Sequence, residues 1–111
     1  RKFIKKHPTM KIQIAHLGCF EYEKFFTLLH EYPNIYMNNS MILVPHELFP
    51  TKFPFESDYL LEFEDRLMFG SDFPNIPYDY KHAFTYFTEN DFSSKFLKKF
   101  FHDNARDFYE L

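Results

Sequence analysis

The segment at 67–74 constrains the fold more than any other part of the sequence. It reads Leu-Met-Phe-Gly-Ser-Asp-Phe-Pro: an apolar run of strand length breaks at Gly70, presents one carboxylate at Asp72 and stops at Pro74. In an α/β protein, polar residues just past the carboxyl end of a strand stand where active sites are built. Period-two alternation would place Met68, Gly70 and Asp72 on one face, so that Gly70 leaves room beside Asp72 for an ion or a substrate. The alternative role for Asp72 is a helix or turn cap before Pro74.

Two further strands are predicted upstream, and helices are predicted between and after the strands. Residues 11–18 form the first strand, which places His16 at its carboxyl end, and residues 34–38 form the second. Apolar residues at i, i+3, i+4 and i+7 spacing indicate the helices. They are expected at 20–32, 57–64, 80–87, 92–101 and in a last turn after 104. This alternation implies an α/β fold with a parallel sheet. A three-stranded parallel sheet has two exposed edges, so it is expected to be part of a larger sheet.

Two details of the chain are predicted more specifically. Asn104 is expected to cap the last turn, which would bury Phe108 and Leu111. The connection at 41–56 is long for a compact domain, and such connections are usually functional or form an interface. Its aromatic residues, interleaved with prolines, are Phe49, Phe53 and Phe55. These side chains are expected to pack within the domain, and the alternatives are a homodimer contact and the wall of a substrate pocket.

Composition limits the classes of function. The 111 residues suffice for one small domain, 1–111, with a real core, and 17 Phe and 8 Tyr supply apolar surface for that core or for a second chain. A formal charge of −3 without a basic stripe argues against binding nucleic acid. No apolar run approaches the roughly 18 residues that a membrane helix needs, and no signal-peptide pattern opens the chain. The single Cys19 excludes an internal disulfide and fits a reducing compartment, so a cytoplasmic location is expected.

Four segments, taken in order, resemble a known family. They are 11–18 (KIQIAHLG), 32–37 (YPNIYM), 68–74 (MFGSDFP) and 104–105 (NA). Together they are similar to the carboxyl-terminal part of the amidohydrolase-related metal-dependent hydrolases, a group that includes the aminocarboxymuconate-semialdehyde decarboxylase-like enzymes. The resemblance covers nearly the whole chain but less than half of the family's fold, which is a (β/α)₈ TIM barrel. It implies a partial barrel, in which the three predicted strands correspond to the sixth, seventh and eighth.

The resemblance also implies a metal site and a reaction. The family holds a divalent metal, commonly zinc, at the mouth of the barrel. Asp72 matches the eighth-strand aspartate, which ligates the metal or takes a proton from its bound water. His16 matches the sixth-strand histidine, which ligates a metal or acts as an acid or base beside it. The implied activity is attack of metal-activated water on an amide, ester or lactone of a small molecule, or a related non-oxidative decarboxylation. Imidazole and carboxylate both suit Zn²⁺, which lowers the pKa of bound water to about 7.

Departures from the family's pattern keep a second hypothesis open. The family's His-x-His motif and its fifth-strand ligand are absent from these residues, Cys19 stands where a second glycine is common, and Asn38 stands where aspartate is common. Two ligands do not hold a catalytic zinc, which needs three from protein and a water. The chain is therefore expected to need the amino-terminal half of a barrel, or else to be a non-catalytic truncated module that acts through oligomerisation or partner binding.

Other side chains carry weaker expectations. Without the resemblance, His16 would more often be a structural histidine than a ligand. Ser71 is expected to support the turn or orient Asp72, because no Gly-x-Ser-x-Gly elbow surrounds it. Cys19 is expected to pack as a small residue under the next helix, with a reactive thiol as the alternative. His46 is expected to be a solvated loop histidine, with substrate contact as the alternative. The histidines expected at the surface are His7, His30, His82 and His102.

Overall fold

The computed structural model describes residues 1–45 and 57–111. The strands are β1 Ile12–Ile14, β2 Ile35–Asn38 and β3 Leu67–Met68. The α-helices are α1 Lys2–Lys6, α2 Tyr22–Glu31, α3 Ser57–Glu62, α4 His82–Glu89, α5 Ser94–Lys98 and α6 Asn104–Tyr109. The residues that precede α2, His16–Glu21, form a kinked turn whose backbone is not helical at Leu17, Gly18 and Cys19, and a π-helical turn at Lys99–Asp103 joins α5 to α6. The predictions for His46, Phe49, Phe53 and Phe55 lie outside the described residues.

The three strands form one parallel sheet in the order β1-β2-β3. Ile12 lies opposite Ile35 in the first pair of strands, and Met37 lies opposite Leu67 in the second. Parallel neighbours need crossover connections, and α2 and α3 lie in the two that this sheet has. The predicted α/β fold, with three parallel strands and flanking helices, is therefore confirmed.

The first strand is shorter than predicted. It ends at Ile14 rather than at Gly18, because Ala15 is the last extended residue, with a ψ of 162°, and His16 turns into a left-handed conformation with a φ of 55°. His16 consequently lies in the loop that follows the strand and not within the strand itself. The polar side chain is still at the carboxyl edge of the sheet, where the sequence placed it.

The predicted helices are present with bounds that differ by a few residues. α2 begins at Tyr22 because the backbone of the preceding Leu17, Gly18 and Cys19 is not helical, and it ends at Glu31, shortly before Pro33. Its apolar side buries Phe26 and Leu29, as the spacing predicted. None of the helices in the two described parts of the chain is long and apolar enough to cross a membrane.

The core lies between the sheet and the helices. In β2, Ile35 and Met37 are fully buried in this core, whereas Tyr36 and Asn38 on the opposite face are half-buried. The largest fully buried side chains are Phe87, Phe96 and Phe100. The aromatic residues therefore build the core mainly through the carboxyl-terminal helices, as their helical spacing predicted.

Asn104 fastens the last helices to the amino end of β3. Its backbone is helical, with a φ of −65° and a ψ of −39°, so the predicted role as a helix cap is wrong. Its buried amide instead donates from Nδ2 to the carbonyl oxygens of Glu64 at 2.6 Å and Leu67 at 2.7 Å. A single side chain thereby satisfies two backbone acceptors at the start of the strand.

The end of α6 also differs from the prediction. Phe108 is half-buried and packs edge-on against Tyr36, with ring centroids 5.0 Å apart. Glu110 then takes a left-handed conformation with a φ of 59°, which ends the helix. Leu111, which was predicted to be buried, follows this turn and is 85% exposed.

The π-helical turn contacts the sheet through its backbone. The N–H of Phe69, directly after β3, donates to the carbonyl oxygen of Phe100 at 2.9 Å. A π turn interrupts the i to i+4 hydrogen-bond pattern of an α-helix, and this leaves a carbonyl oxygen available to an outside donor. The first N–H after β3 is thus bonded to the π-helical turn.

Candidate active site

The loops at the carboxyl edge of the sheet hold nearly all of the strained backbone. Apart from Glu110, every described non-glycine residue with a positive φ lies in a loop that follows a strand. These residues are His16, Leu17 and Cys19 after β1, Met41 and Leu43 after β2, and Asp72 after β3. Such conformations are rare for L-residues and collect at functional sites. Both sequence-predicted site residues, His16 and Asp72, are among them.

The loop after β1 makes a left-handed turn. His16, Leu17 and Gly18 have φ values of 55°, 47° and 77°, and Cys19 combines a φ of 50° with a ψ of −128°. Gly18 is required for a second reason, because an added Cβ would lie 2.4 Å from Cδ2 of Phe25. Leu17 is fully buried and anchors the turn in the core. This geometry carries His16 to the loop that follows β2.

The imidazole of His16 is held by the main chain of that neighbouring loop. Its Nδ1 lies 2.7 Å from the carbonyl oxygen of Ser40, and the side chain is half-buried. A carbonyl oxygen only accepts, so Nδ1 carries a hydrogen and donates it. In the neutral ring, the lone pair is then on Nε2. A histidine that binds a metal through Nε2 is commonly fixed in this way.

Asn38, Asn39 and Ser40 form a polar cluster where β2 ends. Oδ1 of Asn38 accepts from the backbone N–H of His16 at 3.4 Å, from the backbone N–H of Ser40 at 3.1 Å and from Oγ of Ser40 at 2.7 Å. The buried Asn39 accepts at Oδ1 from the N–H of Gly70 at 3.1 Å. Hydrogen bonds therefore join the loop after β2 to the loops after both of its neighbours.

Gly70 does not leave open space beside Asp72. A Cβ added at Gly70 would lie 2.4 Å from Oγ of Ser40 and 3.1 Å from Cγ of Asn38. The missing side chain thus makes room for the polar cluster, and the predicted gap for an ion or substrate at this position is wrong. The glycine is needed because Ser40 and Asn38 approach the backbone just after β3 so closely that a side chain at position 70 would clash with them.

Asp72 lies in the exposed turn that follows β3. The alternation predicted for 68–72 is wrong, because β3 ends at Met68 and Asp72 has a φ of 64°. The carbonyl oxygen of Asp72 accepts from the N–H of Asn75 at 2.9 Å, so its main chain closes the turn while its side chain is exposed. Burial first, and then the negative charge of Asp72, raises the pKa of Tyr78. The carboxylate is therefore within electrostatic reach of that phenol.

The remaining candidate residues lie outside the polar cluster of Asn38, Asn39 and Ser40. Oγ of Ser71 accepts from the N–H of Phe73 at 3.2 Å, so Ser71 supports the turn as predicted. Cys19 is half-buried beside α2. Of the histidines predicted at the surface, His82 is half-buried and the others are exposed.

Asn38 and Ser40 were not predicted to belong to the site. The signal that could have identified them is the polar run at 38–40, directly after an apolar strand, since site residues in parallel sheets collect at that position. Their contacts with His16 were not predictable, because they join residues 22 and 24 positions apart in the sequence.

Comparison with known proteins decides the family. A family model described as amidohydrolase matches residues 1–111. The chain belongs to the amidohydrolase family. Among solved structures, it is similar to the crystal structure of an uncharacterized TIM-barrel protein from Bordetella bronchiseptica, with a TM-score of 0.76 and 18% sequence identity. No curated protein matches the sequence.

This amidohydrolase chain has the fold of part of a TIM barrel. The match covers 98% of this chain and 37% of the Bordetella protein, so the chain spans little more than a third of that barrel's length. The predicted partial barrel is thereby confirmed. TIM barrels carry their active sites at the carboxyl edge of the strands, which is the edge where His16, Ser40 and Asp72 lie.

Two residues at this edge have the chemistry of metal ligands, and amidohydrolases usually bind divalent metals. Nε2 of His16 keeps its lone pair because Nδ1 is engaged by a carbonyl oxygen, and the carboxylate of Asp72 is exposed. Both donors fit a divalent cation such as zinc. Within 1–45 and 57–111, however, no three His, Cys, Asp or Glu residues come together to hold a metal ion. A catalytic site needs at least one further protein ligand.

Proposed function

We propose that this amidohydrolase chain supplies His16 and Asp72 to the divalent-metal site, with zinc as the preferred metal, of an enzyme that hydrolyses a small molecule. The hydrogen bond from Nδ1 of His16 to the carbonyl oxygen of Ser40 is the observation that supports this proposal most strongly. It commits Nε2 to the role of a ligand or a proton acceptor, and it does so at the edge of the sheet where TIM barrels perform catalysis.

Each residue has a defined part in the proposed reaction. A divalent metal, when bound, supplies a water whose pKa is lowered to about 7 and polarises the bond that is cleaved. His16 would bind the metal through Nε2 or exchange a proton there, while the carbonyl oxygen of Ser40 keeps the imidazole ring oriented. Asp72 would bind the metal through its carboxylate or would accept the proton of the attacking water, and its exposed position leaves the carboxylate accessible to a substrate.

The proposed substrate carries an amide, an ester or a lactone. Non-oxidative decarboxylation is the alternative reaction, because the segments at 11–18 and 68–74 resemble the aminocarboxymuconate-semialdehyde decarboxylase-like enzymes. The products separate the two reactions: hydrolysis consumes water and yields a carboxylic acid, whereas decarboxylation releases carbon dioxide and replaces it with a proton.

The remaining ligands are proposed to come from residues outside 1–111. The aligned part of the Bordetella barrel is 37% of that chain, which leaves most of its length without a counterpart here. The amino-terminal half of a barrel would supply them, either as an upstream part of the same native chain or as a partner.

The proposal is tested with metal analysis and activity assays on the native, full-length protein. Asp72→Asn keeps the size of the side chain and removes its charge, so we expect loss of bound metal and at least about a 100-fold loss of activity. Asp91→Asn is the matched control, because Asp91 is also an exposed loop aspartate but lies between α4 and α5. Retention of both metal and activity in Asp72→Asn would overturn the proposal.

A non-catalytic module is the second candidate, and exposed surface favours it. In the described sheet, β1 and β3 are the edge strands, and Phe20 and Phe73 in the loops that follow them are 84% and 66% exposed. Such surface suits assembly with another chain or a second copy. This candidate predicts a stable oligomer in metal-free solution, measured by light scattering. A monomer that binds no apolar dye would count against it.

A further inference from the structure

We infer that Asn38 and Ser40 are positioning residues that fix the tautomer and orientation of the His16 ring. The geometry of this inference stands by itself, while its consequence for catalysis rests on the proposed function. The hydrogen bond between Asn38 and His16 goes to the backbone N–H of His16, whereas the ring bonds to Ser40. It acts on the ring through Ser40, whose carbonyl oxygen accepts from Nδ1.

The first step of the argument is the bond that fixes the ring. The carbonyl oxygen of Ser40 lies 2.7 Å from Nδ1 of His16, and this bond selects the tautomer with hydrogen on Nδ1. A solvated histidine has no such selection and exchanges between both tautomers. The position of one backbone carbonyl therefore decides which ring nitrogen carries the hydrogen and which keeps its lone pair.

The second step is how that carbonyl is held in place. The side chain of Asn38 accepts from both the N–H and the Oγ of Ser40, at 3.1 Å and 2.7 Å. The same oxygen accepts from the backbone N–H of His16 at 3.4 Å. The Oδ1 of Asn38 thus holds both residues of the His16–Ser40 hydrogen bond. It accepts from the backbone N–H of His16 and from the N–H and Oγ of Ser40.

The third step is the close approach between Ser40 and the backbone of Gly70, just after β3. Ser40 is 7% exposed, and its Oγ fills the space that a side chain at position 70 would occupy, 2.4 Å from an added Cβ. Gly70 in turn donates its N–H to the neighbouring Asn39 at 3.1 Å. Ser40 is therefore enclosed between the side chain of Asn38 and the backbone of Gly70, which leaves its carbonyl little freedom to turn away from His16.

A structural role alone would stabilise the loop without selecting the ring nitrogen, and imidazole ¹⁵N NMR separates the two roles. The sample is the native, full-length protein with ¹⁵N-labelled histidine, stripped of metal and held near pH 8.5, about two units above the ordinary imidazole pKa. The signal of His16 is assigned by its disappearance in His16→Gln. In the wild type, we expect hydrogen on Nδ1 and a free lone pair on Nε2.

Variants then test whether Asn38 sets the tautomer of His16 through Ser40. Asn38→Ala is expected to shift His16 to a mixture of tautomers and leave the signals of the exposed His30 and His102 unchanged. Asn38→Asp keeps an acceptor oxygen at the same position and is expected to restore the wild-type tautomer. Ser40→Ala removes only one of the two bonds from Ser40 to Asn38, so we expect a smaller shift. If Asn38→Ala does not fold, the tautomers of His16 in Ser40→Ala and Asn38→Asp still show whether the Asn38–Ser40 hydrogen bonds set the tautomer.

Two results would overturn the inference: a wild-type His16 with hydrogen on Nε2, or folded variants that all keep the wild-type tautomer. Metal content is measured on a separate, unstripped wild-type sample. A tautomer that depends on Asn38 in a protein without metal supports the positioning role and contradicts the proposed function. Bound metal together with a tautomer that no variant changes supports the proposed function and overturns the positioning role.

Discussion

The residues that follow β1 adopt backbone conformations that are rare for residues other than glycine, and that of Cys19 is the most unusual. Its φ of 50° and ψ of −128° lie in a region that favours glycine, and the family resemblance also places a glycine there. The structure thus gives a physical reason for the sequence pattern, which Cys19 breaks. A side chain in a left-handed conformation costs about 1–2 kcal/mol.

Cys19→Gly is therefore expected to stabilise the protein. The strain relieved exceeds the extra chain entropy of glycine in the unfolded state, so the free energy of unfolding should rise by about 0.5–1 kcal/mol. Chemical denaturation of the native protein measures the change. Cys19→Ala is the matched control, because it removes the thiol and keeps the Cβ, and it should give no gain. Equal effects of the two variants would assign the change to the thiol and not to the backbone.

Gly70 and Ser40 are expected to be energetically coupled. Gly70→Ala drives a Cβ into Oγ of Ser40 and should cost about 1–3 kcal/mol of unfolding free energy. In a Ser40→Ala background that oxygen is gone, so the added cost of Gly70→Ala should fall by about 1 kcal/mol. Ser93→Ala serves as the control background, because Oγ of Ser93 caps α5 at Phe96 instead. Equal costs of Gly70→Ala in all backgrounds would show that the close approach is relieved elsewhere.

At this scale, the sequence predicted which residues lie at the carboxyl edge but not their contacts. His16 and Asp72 follow strands, and the order of the strands along the chain, though not where each one ends, is visible in the pattern of apolar residues and glycines. The role of Gly70 was predicted in the wrong sense, because the neighbour that fills its space comes from a different loop. Contacts between loops depend on left-handed turns, and a sequence pattern does not reveal these outside glycine.

Among the elements, the amino end of β3 is bonded to the carboxyl-terminal helices through the side chain of Asn104. Asn104→Ala removes both hydrogen bonds to the Glu64 and Leu67 carbonyls and leaves these acceptors without that donor. We expect a loss of about 2–3 kcal/mol in unfolding free energy. Asn34→Ala is the control, because its Nδ2 also donates to a backbone oxygen, that of Met10, but at a partly exposed site. Similar losses in the two variants would contradict the special role of Asn104.

The link between β3 and the π-helical turn is expected to depend on pH. Nζ of Lys99 donates to Oε1 of Glu64 at 2.7 Å, and this hydrogen bond lowers the pKa of the Glu64 carboxyl. A lowered folded pKa gives stability that is present above the ordinary value of 4.5 and is lost as the pH falls through the lowered value. Unfolding measured across this range should show a weaker acid dependence for Glu64→Gln than for the wild type. Glu89→Gln, at an exposed position at the end of α4, should keep the wild-type profile.

The order and type of the elements were predictable, whereas their ends were not. Apolar spacing located α2 and α4, and Pro33 marked where α2 must end. β1 is shorter than its apolar pattern because the left-handed turn at His16 interrupts it. The π-helical turn has no sequence signature, and its bond to Phe69 depends on tertiary packing.

For the whole molecule, the parallel sheet and the TIM-barrel likeness lead to the same expectation. The chain aligns with 37% of a barrel, and within the described residues β1 and β3 each pair on one side only. The resemblance predicted this partial barrel, because the motifs at 11–18 and 68–74 are specific to strand ends of the family. Apolar spacing alone predicted three parallel strands and open edges, but not a barrel.

Metal content of the native protein, with its intact mass determined on the same sample, tests the central claim most directly. The proposed function predicts at least one tightly bound divalent metal per chain, in a protein or complex of roughly 250 residues or more, the usual size of a TIM barrel. His16 and Asp72 would then be site residues of a working amidohydrolase. A native protein that carries no metal and takes up none from added zinc would contradict the claim, and His16 and Asp72 would then have no metal to serve.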